Sequence, residues 1–167
     1  THSPFNESLH PIKMSNLCAE IDLPTRPLKD INDPDGRIAL CTLSATNWGN
    51  VKSPADFEKM CTLAVRGLDA LLSYQNYPIR AAELATEEFR PLGVGIINLA
   101  YFLAKNDVSY SDPAALPLVD EYAEAWSYYL IKASADLAKE QGPCTRWHDL
   151  KYDSGILPID TRKKEVD

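Results

Sequence analysis

Residues Leu92 to Ala104 form the longest strongly apolar run of the chain, 13 positions that include a single Asn98. The segment "PLGVGIINLAYFLAK" is expected to be a helix that is apolar nearly all round, and a helix without a polar face must be enclosed by protein on most sides. The run falls well short of the roughly 20 residues that cross a bilayer. A chain of 167 residues with few other elements can hardly supply that enclosure, so this helix is expected to pack against partners outside the sequence.

The other elements follow from period and punctuation. "THSPFNESLHPIKM" has Pro4 and Pro11 and no sustained period, which reads as irregular surface chain. "SNLCAEIDL" reads as extended and ends at Pro24 and Pro27. "NDPDG" reads as a tight turn with Pro34 at its second position and Gly36 closing it. "RIALCTLSA" then begins a second strand, with Ile38 and Leu40 on one face and Ala39, Cys41 and Leu43 on the other. From Ser53 the pattern is helical: Ser53 is a plausible N-cap, Pro54 suits the first turn and Asp56 can answer the cap. Phe57, Cys61, Ala64, Leu68 and Leu71 form the expected buried stripe, and Pro78 prevents continuation. A short polar helix is expected over Ile79 to Phe89. A long one, about Leu116 to Gln141, carries Val119, Tyr122, Trp126, Tyr129, Ala133 and Leu137 on one face before Gly142 and Pro143 stop it.

Composition narrows the function classes. Apolar residues make up 45%, enough for a real core, and 17 basic against 24 acidic residues leave a net charge of −7. Such a balance repels phosphate backbones and anionic lipid, so neither a nucleic acid nor a membrane is an expected partner. Four dispersed cysteines without a CxxC pair fit neither a disulfide scaffold nor a zinc site, and a cytoplasmic location with reduced thiols is expected. The start at Thr1 and the charged "TRKKEVD" end suggest a piece of something longer.

If "SNLCAEI" is extended, its period of two puts Asn16, Cys18 and Glu20 on one face. An amide, a thiol and a carboxylate then stand in a row, either as a solvated strand face or as a reaction site. Cys61 falls on a helix stripe and reads as a small hydrophobe, Cys144 follows a Gly-Pro stop with no acid or base near it, and His2, His10 and His148 have no metal-ligand spacing. A nucleophilic thiolate needs a nearby base or cation, whereas Glu20 beside Cys18 disfavours the anion. If Cys18 is reactive, it does not act as an ordinary thiolate.

The blocks "THSPF", "SNLCAEIDLPTRPL", "GRIALCTLSATNWG", "LAVRGLDALLSYQNYPI", "PLGVGIINLAYFLAK" and "YYLIKASADLAKEQGPC" run in order through nearly the whole chain. Together they resemble the large, catalytic subunit of aerobic class I ribonucleotide reductases. The resemblance implies an α/β fold, part of a ten-stranded α/β barrel with a finger loop through its centre and several helices. On that plan the finger loop and strands occupy 12–47, a helical region 53–142 and an irregular segment 143–167. It implies that Cys18 resembles the residue that becomes a thiyl radical and removes the 3′ hydrogen of the substrate ribose. Glu20 then resembles the base for the 3′ hydroxyl proton, Asn16 the amide that hydrogen-bonds substrate hydroxyls, and Cys41 one half of a pair that reduces the 2′ carbon and becomes a disulfide. A neutral thiol is what hydrogen-atom transfer requires, so the carboxylate beside Cys18 suits this role.

No metal or cofactor is expected on this chain. The resemblance implies a radical supplied by a metal-containing small subunit, reducing equivalents from thioredoxin or glutaredoxin, and ribonucleoside diphosphate substrates. It also implies the remaining segments of the catalytic subunit as partners, because the other reducing cysteine, the nucleotide-binding sites and the radical-relay tyrosines have no match here. The chain is therefore expected to be inactive alone, as a split or excised central segment. A noncatalytic remnant or scaffold is the alternative, although it would have no need of Asn16, Cys18, Glu20 and Cys41 together. A stand-alone cysteine hydrolase would need a histidine paired with a thiolate.

Overall fold

The computed structural model describes residues 3–19, 21–40, 42–157 and 159–160. The chain divides into two compact units, one of residues 42–73 and 92–142, the other of residues 1–41, 74–91 and 143–167.

The first unit contains β1 (Leu43–Asn47), α1 (Phe57–Tyr74, whose last residue falls in the other unit), β2 (Gly93–Ile97), α3 (Leu99–Lys105) and α4 (Ala115–Gln141). The strands pair in parallel, Leu43 opposite Gly93 through Asn47 opposite Ile97. A parallel pair needs a long crossover, here the whole stretch between residues 47 and 93. The apolar run that reads as one helix is thus a strand followed by a short helix. Val94, Ile96 and Ile97 are β-branched and Gly93 and Gly95 disfavour a helix, while parallel strands normally read as continuous apolar sequence. Asn98 marks the break, with φ 66° at the start of α3. Ile96 and Ile97 remain 37% and 51% exposed at the end of β2 among the described residues.

A Pro54–Asp56 turn of 3-10 helix leads into α1. The Asp56 carboxylate accepts the Lys52 and Ser53 N–H groups at 2.8 and 3.0 Å, satisfying donors at the helix entrance. Those bonds hold its carboxyl below the usual range. The buried face of α1 is Phe57, Cys61, Val65, Leu68 and Leu72. Ala64 is only partly covered and Leu71 is 52% exposed, so Val65 and Leu72 replace them in the stripe while Leu68 is buried as expected. A 4-4-3-4 spacing follows the 3.6-residue turn as well as the expected one does, and packing decides between them.

Trp48, Val51, Phe57, Cys61, Phe102, Leu103 and Ala115 form the core, with Tyr122 and Trp126 of α4 against it. Trp48 is wholly buried and meets Phe57 and Phe102 at ring-centroid distances of 5.3 and 5.4 Å. Removing its ring would cost about 3–5 kcal/mol. A Cβ at Gly49 would lie 2.3 Å from Asn98 Nδ2 and 2.9 Å from the Tyr101 ring, so any side chain there would require those side chains to shift. Ala133 and Leu137 of α4 bury against Val65, and Gly142 ends the helix at φ 89°.

The second unit is mostly irregular chain around α2 (Arg80–Phe89). Of the strand expected from Arg37, the described residues before Leu43 form no strand, and only its end, Leu43 onward, is realised as β1. Arg37 pairs only with Arg26 in a single antiparallel bridge, and the Ile38 N–H donates to the Ala81 carbonyl of α2 instead of to a strand. The turn at Pro34 is as expected: Asp33 Oδ1 accepts the Asp35 N–H at 2.9 Å. Residues 143–157 contain two turns of 3-10 helix, Trp147–Asp149 and Lys151–Ser154, and return to the N-terminal segment through a Phe5–Leu150 bridge.

Candidate active-site loop

"SNLCAEI" is not the extended row that periodicity suggests. Two arms of irregular chain, with Pro11 on one and Pro24 and Pro27 on the other, lead to a tight turn at Leu17 and Cys18. The Asn16 carbonyl accepts the Ala19 N–H at 3.0 Å. The Asn16 side-chain oxygen accepts the Ile21 N–H at 3.0 Å, which commits part of that amide to the loop itself. Ala19 adopts φ 58°, in the left-handed region. A local amide-to-backbone bond competes with strand pairing, which is why alternation of polar and apolar residues misleads here.

Cys18 is exposed at the turn, and the Leu17 side chain beside it has 101% relative exposure. Asn16 and Cys18 thus share one turn. Glu20 and Cys41, the other two expected site residues, lie outside the described residues. By sequence Cys41 comes two positions before β1.

The arms rest on an ionic network that the sequence does not reveal. Arg37 donates to both Glu88 oxygens, Nε at 2.9 Å and Nη2 at 2.6 Å. Arg146 Nε lies 3.5 Å from the same carboxylate, and its Nη1 donates to Asp149 at 2.9 Å. Asp149 in turn meets the buried His10 ring at 2.9 Å. The Arg37 hydrogen bond, followed by the charges of Arg37 and Arg146, holds the Glu88 carboxyl below its ordinary range against the opposing effect of burial. The Asp149 carboxyl is lowered chiefly by its hydrogen bond with His10. A cleft of about 200 Å3 at the loop base is lined by His10, Lys13, Arg26, Arg37, Glu88 and Phe89, among others. These partners lie up to 139 positions apart, and no local signal pairs them.

Cys61 is the packing residue that its helix stripe predicts, and Cys144 is half-buried in the loop after the Gly-Pro stop. Cys61 is buried and its thiol is pushed up to about 11 by burial. Burial also raises the Cys144 thiol. No group of three or more His, Cys, Asp or Glu side chains among the described residues could hold a metal ion. No described helix is long and apolar enough to cross a membrane.

The family model for the ribonucleotide reductase barrel domain matches residues 1–167. The chain belongs to the ribonucleotide reductase barrel-domain family. It is 54% identical over 167 residues to the ribonucleoside-diphosphate reductase subunit alpha of Haemophilus influenzae, a match covering 100% of this chain and 22% of the relative. The 1 subunit alpha of Escherichia coli gives 54% identity over 167 residues with the same coverage. That of phage T4 gives 44% over 168 residues, covering 99% of this chain and 22% of the relative. The chain spans about a fifth of the length of these curated relatives. The parallel β1–β2 pair and the helices around it are therefore a portion of a reductase α/β barrel.

Proposed function

We propose that this chain is the central segment of a ribonucleoside-diphosphate reductase catalytic subunit and carries its hydrogen-abstracting residue, Cys18. The reading rests on one combined observation: a reductase barrel match along the whole chain, with Cys18 exposed at the turn of its loop. Cys18 as a thiyl radical takes the 3′ hydrogen atom of a ribonucleoside diphosphate and becomes a neutral thiol. Glu20 takes the 3′ hydroxyl proton, and Asn16 hydrogen-bonds substrate hydroxyls. Cys41 and a cysteine outside this sequence supply two electrons and two protons, so that the 2′ hydroxyl leaves as water and the pair becomes a disulfide. Cys18 then returns a hydrogen atom to C3′ and regains its radical, and Glu20 returns the proton to the 3′ oxygen.

The radical originates from a metal-containing small subunit, and thioredoxin or glutaredoxin re-reduces the disulfide. The segment works in the cytoplasm and only together with the remaining segments of the subunit. Turnover by the complete subunit, supplied with its small subunit and reductant, tests the assignment. Cys18→Ala should abolish deoxyribonucleotide formation, while Cys144→Ala should retain it within a few-fold. Cys41→Ala should stop catalytic cycling as well. Full activity of Cys18→Ala would leave the segment as a scaffold.

A further inference from the structure

We propose that Asn16 and Ala19 are positioning residues for Cys18: the Asn16 side chain locks the loop around a left-handed Ala19 and so fixes where the sulfur sits. The proposal rests on the reading of Cys18 as the hydrogen-abstracting residue. The family resemblance gives Asn16 a contact with substrate; a hold on the loop is a separate task for the other end of its amide, and Ala19 is the residue that this hold keeps left-handed.

Two bonds from one residue bracket Ala19. The Asn16 main-chain oxygen takes the N–H of Ala19 itself, and its side-chain oxygen takes that of Ile21, each at 3.0 Å. Between them Ala19 holds φ 58°, which a residue with a Cβ adopts only when its surroundings over-determine it. Within this segment Leu17, Cys18 and Ala19 are all exposed, so what the segment itself offers the tip is backbone and amide hydrogen bonding rather than side-chain packing. The constraint comes from hydrogen bonds, and Asn is suited to it because its short amide reaches nearby backbone donors. Hydrogen-atom transfer needs the sulfur near contact with the ribose carbon. A misplacement of about 1 Å can cost about a hundredfold in rate. A loop without the lock would let Cys18 wander over such distances.

The test uses the complete catalytic subunit carrying this segment. Hydrogen–deuterium exchange of a peptide covering residues 16–24 reports the Ala19 and Ile21 amides. Asn16→Ala should speed exchange there at least tenfold, and Asn16→Asp, which keeps an acceptor oxygen, should restore protection. In turnover, Ala19→Val should lower kcat by about tenfold or more with KM unchanged, because a β-branched residue resists the left-handed region. Ala19→Gly should lose far less. Unchanged exchange in Asn16→Ala, or a kcat for Ala19→Val equal to that of the parent, would overturn the lock. Either result would leave the assignment of Cys18 standing, whereas turnover by Cys18→Ala would remove that assignment without touching the exchange result.

Discussion

Glu88 accepts two hydrogen bonds from Arg37 and lies near Arg146, so its ionisation is linked to the folding of the unit that carries the loop. The carboxyl is held below its ordinary value in the folded chain, so the unfolded chain binds its proton more readily. The stability that Glu88 contributes is whole above about pH 4.5 and fades as pH falls through the lowered folded value. Glu88→Gln should cost about 2 kcal/mol at neutral pH and flatten this part of the acid limb, as read by urea unfolding of the chain from pH 3 to 7. A parallel acid limb in the variant would count against the pairing. The same network shows what one sequence hides: Arg37 and Glu88 are 51 positions apart, and nothing in their surroundings marks them as partners. Asn16 and Cys18 were recognisable as residues, but the turn that joins them was not, because alternation fits a strand and a loop equally well.

Helix existence and type were legible wherever a long amphipathic period met clear stops. α4 ends at Gln141, where Gly142 and Pro143 require it, and α2 occupies Arg80–Phe89 within the expected range. Two helix readings differ from the structure for identifiable reasons. The run from Leu92 reads as helical, yet its β-branched half belongs to a parallel strand, whose apolar residues do not alternate. In α1 Val65 and Leu72 replace Ala64 and Leu71 in the stripe, and only contacts choose Leu72 over Leu71. Truncation distinguishes the two directly. Leu72→Ala should destabilise the chain by about 2–4 kcal/mol, and Leu71→Ala by less than about 1 kcal/mol, in urea unfolding. Equal costs would contradict the register of α1.

Across the chain, the two-stranded sheet, the exposed Ile96 and Ile97 and the exposed loop tip belong together with the family match. Each is a surface that a barrel longer than this segment would use. The α/β class was legible through family blocks rather than through period, since only five residues on either side form the paired strands. The role proposed for Cys18 draws on its sequence neighbours: a carboxylate two positions on is a poor companion for a thiolate and a good one for a neutral thiol that exchanges hydrogen atoms. The most direct measurement of that role is isotopic. The complete subunit would reduce a mixture of ordinary and 3′-deuterated ribonucleoside diphosphate, with the unreacted pool analysed by mass spectrometry. Abstraction of the 3′ hydrogen predicts an unreacted pool that grows richer in deuterium as the reaction proceeds, and no reaction with Cys18→Ala. An unchanged isotope ratio together with turnover by Cys18→Ala would contradict it.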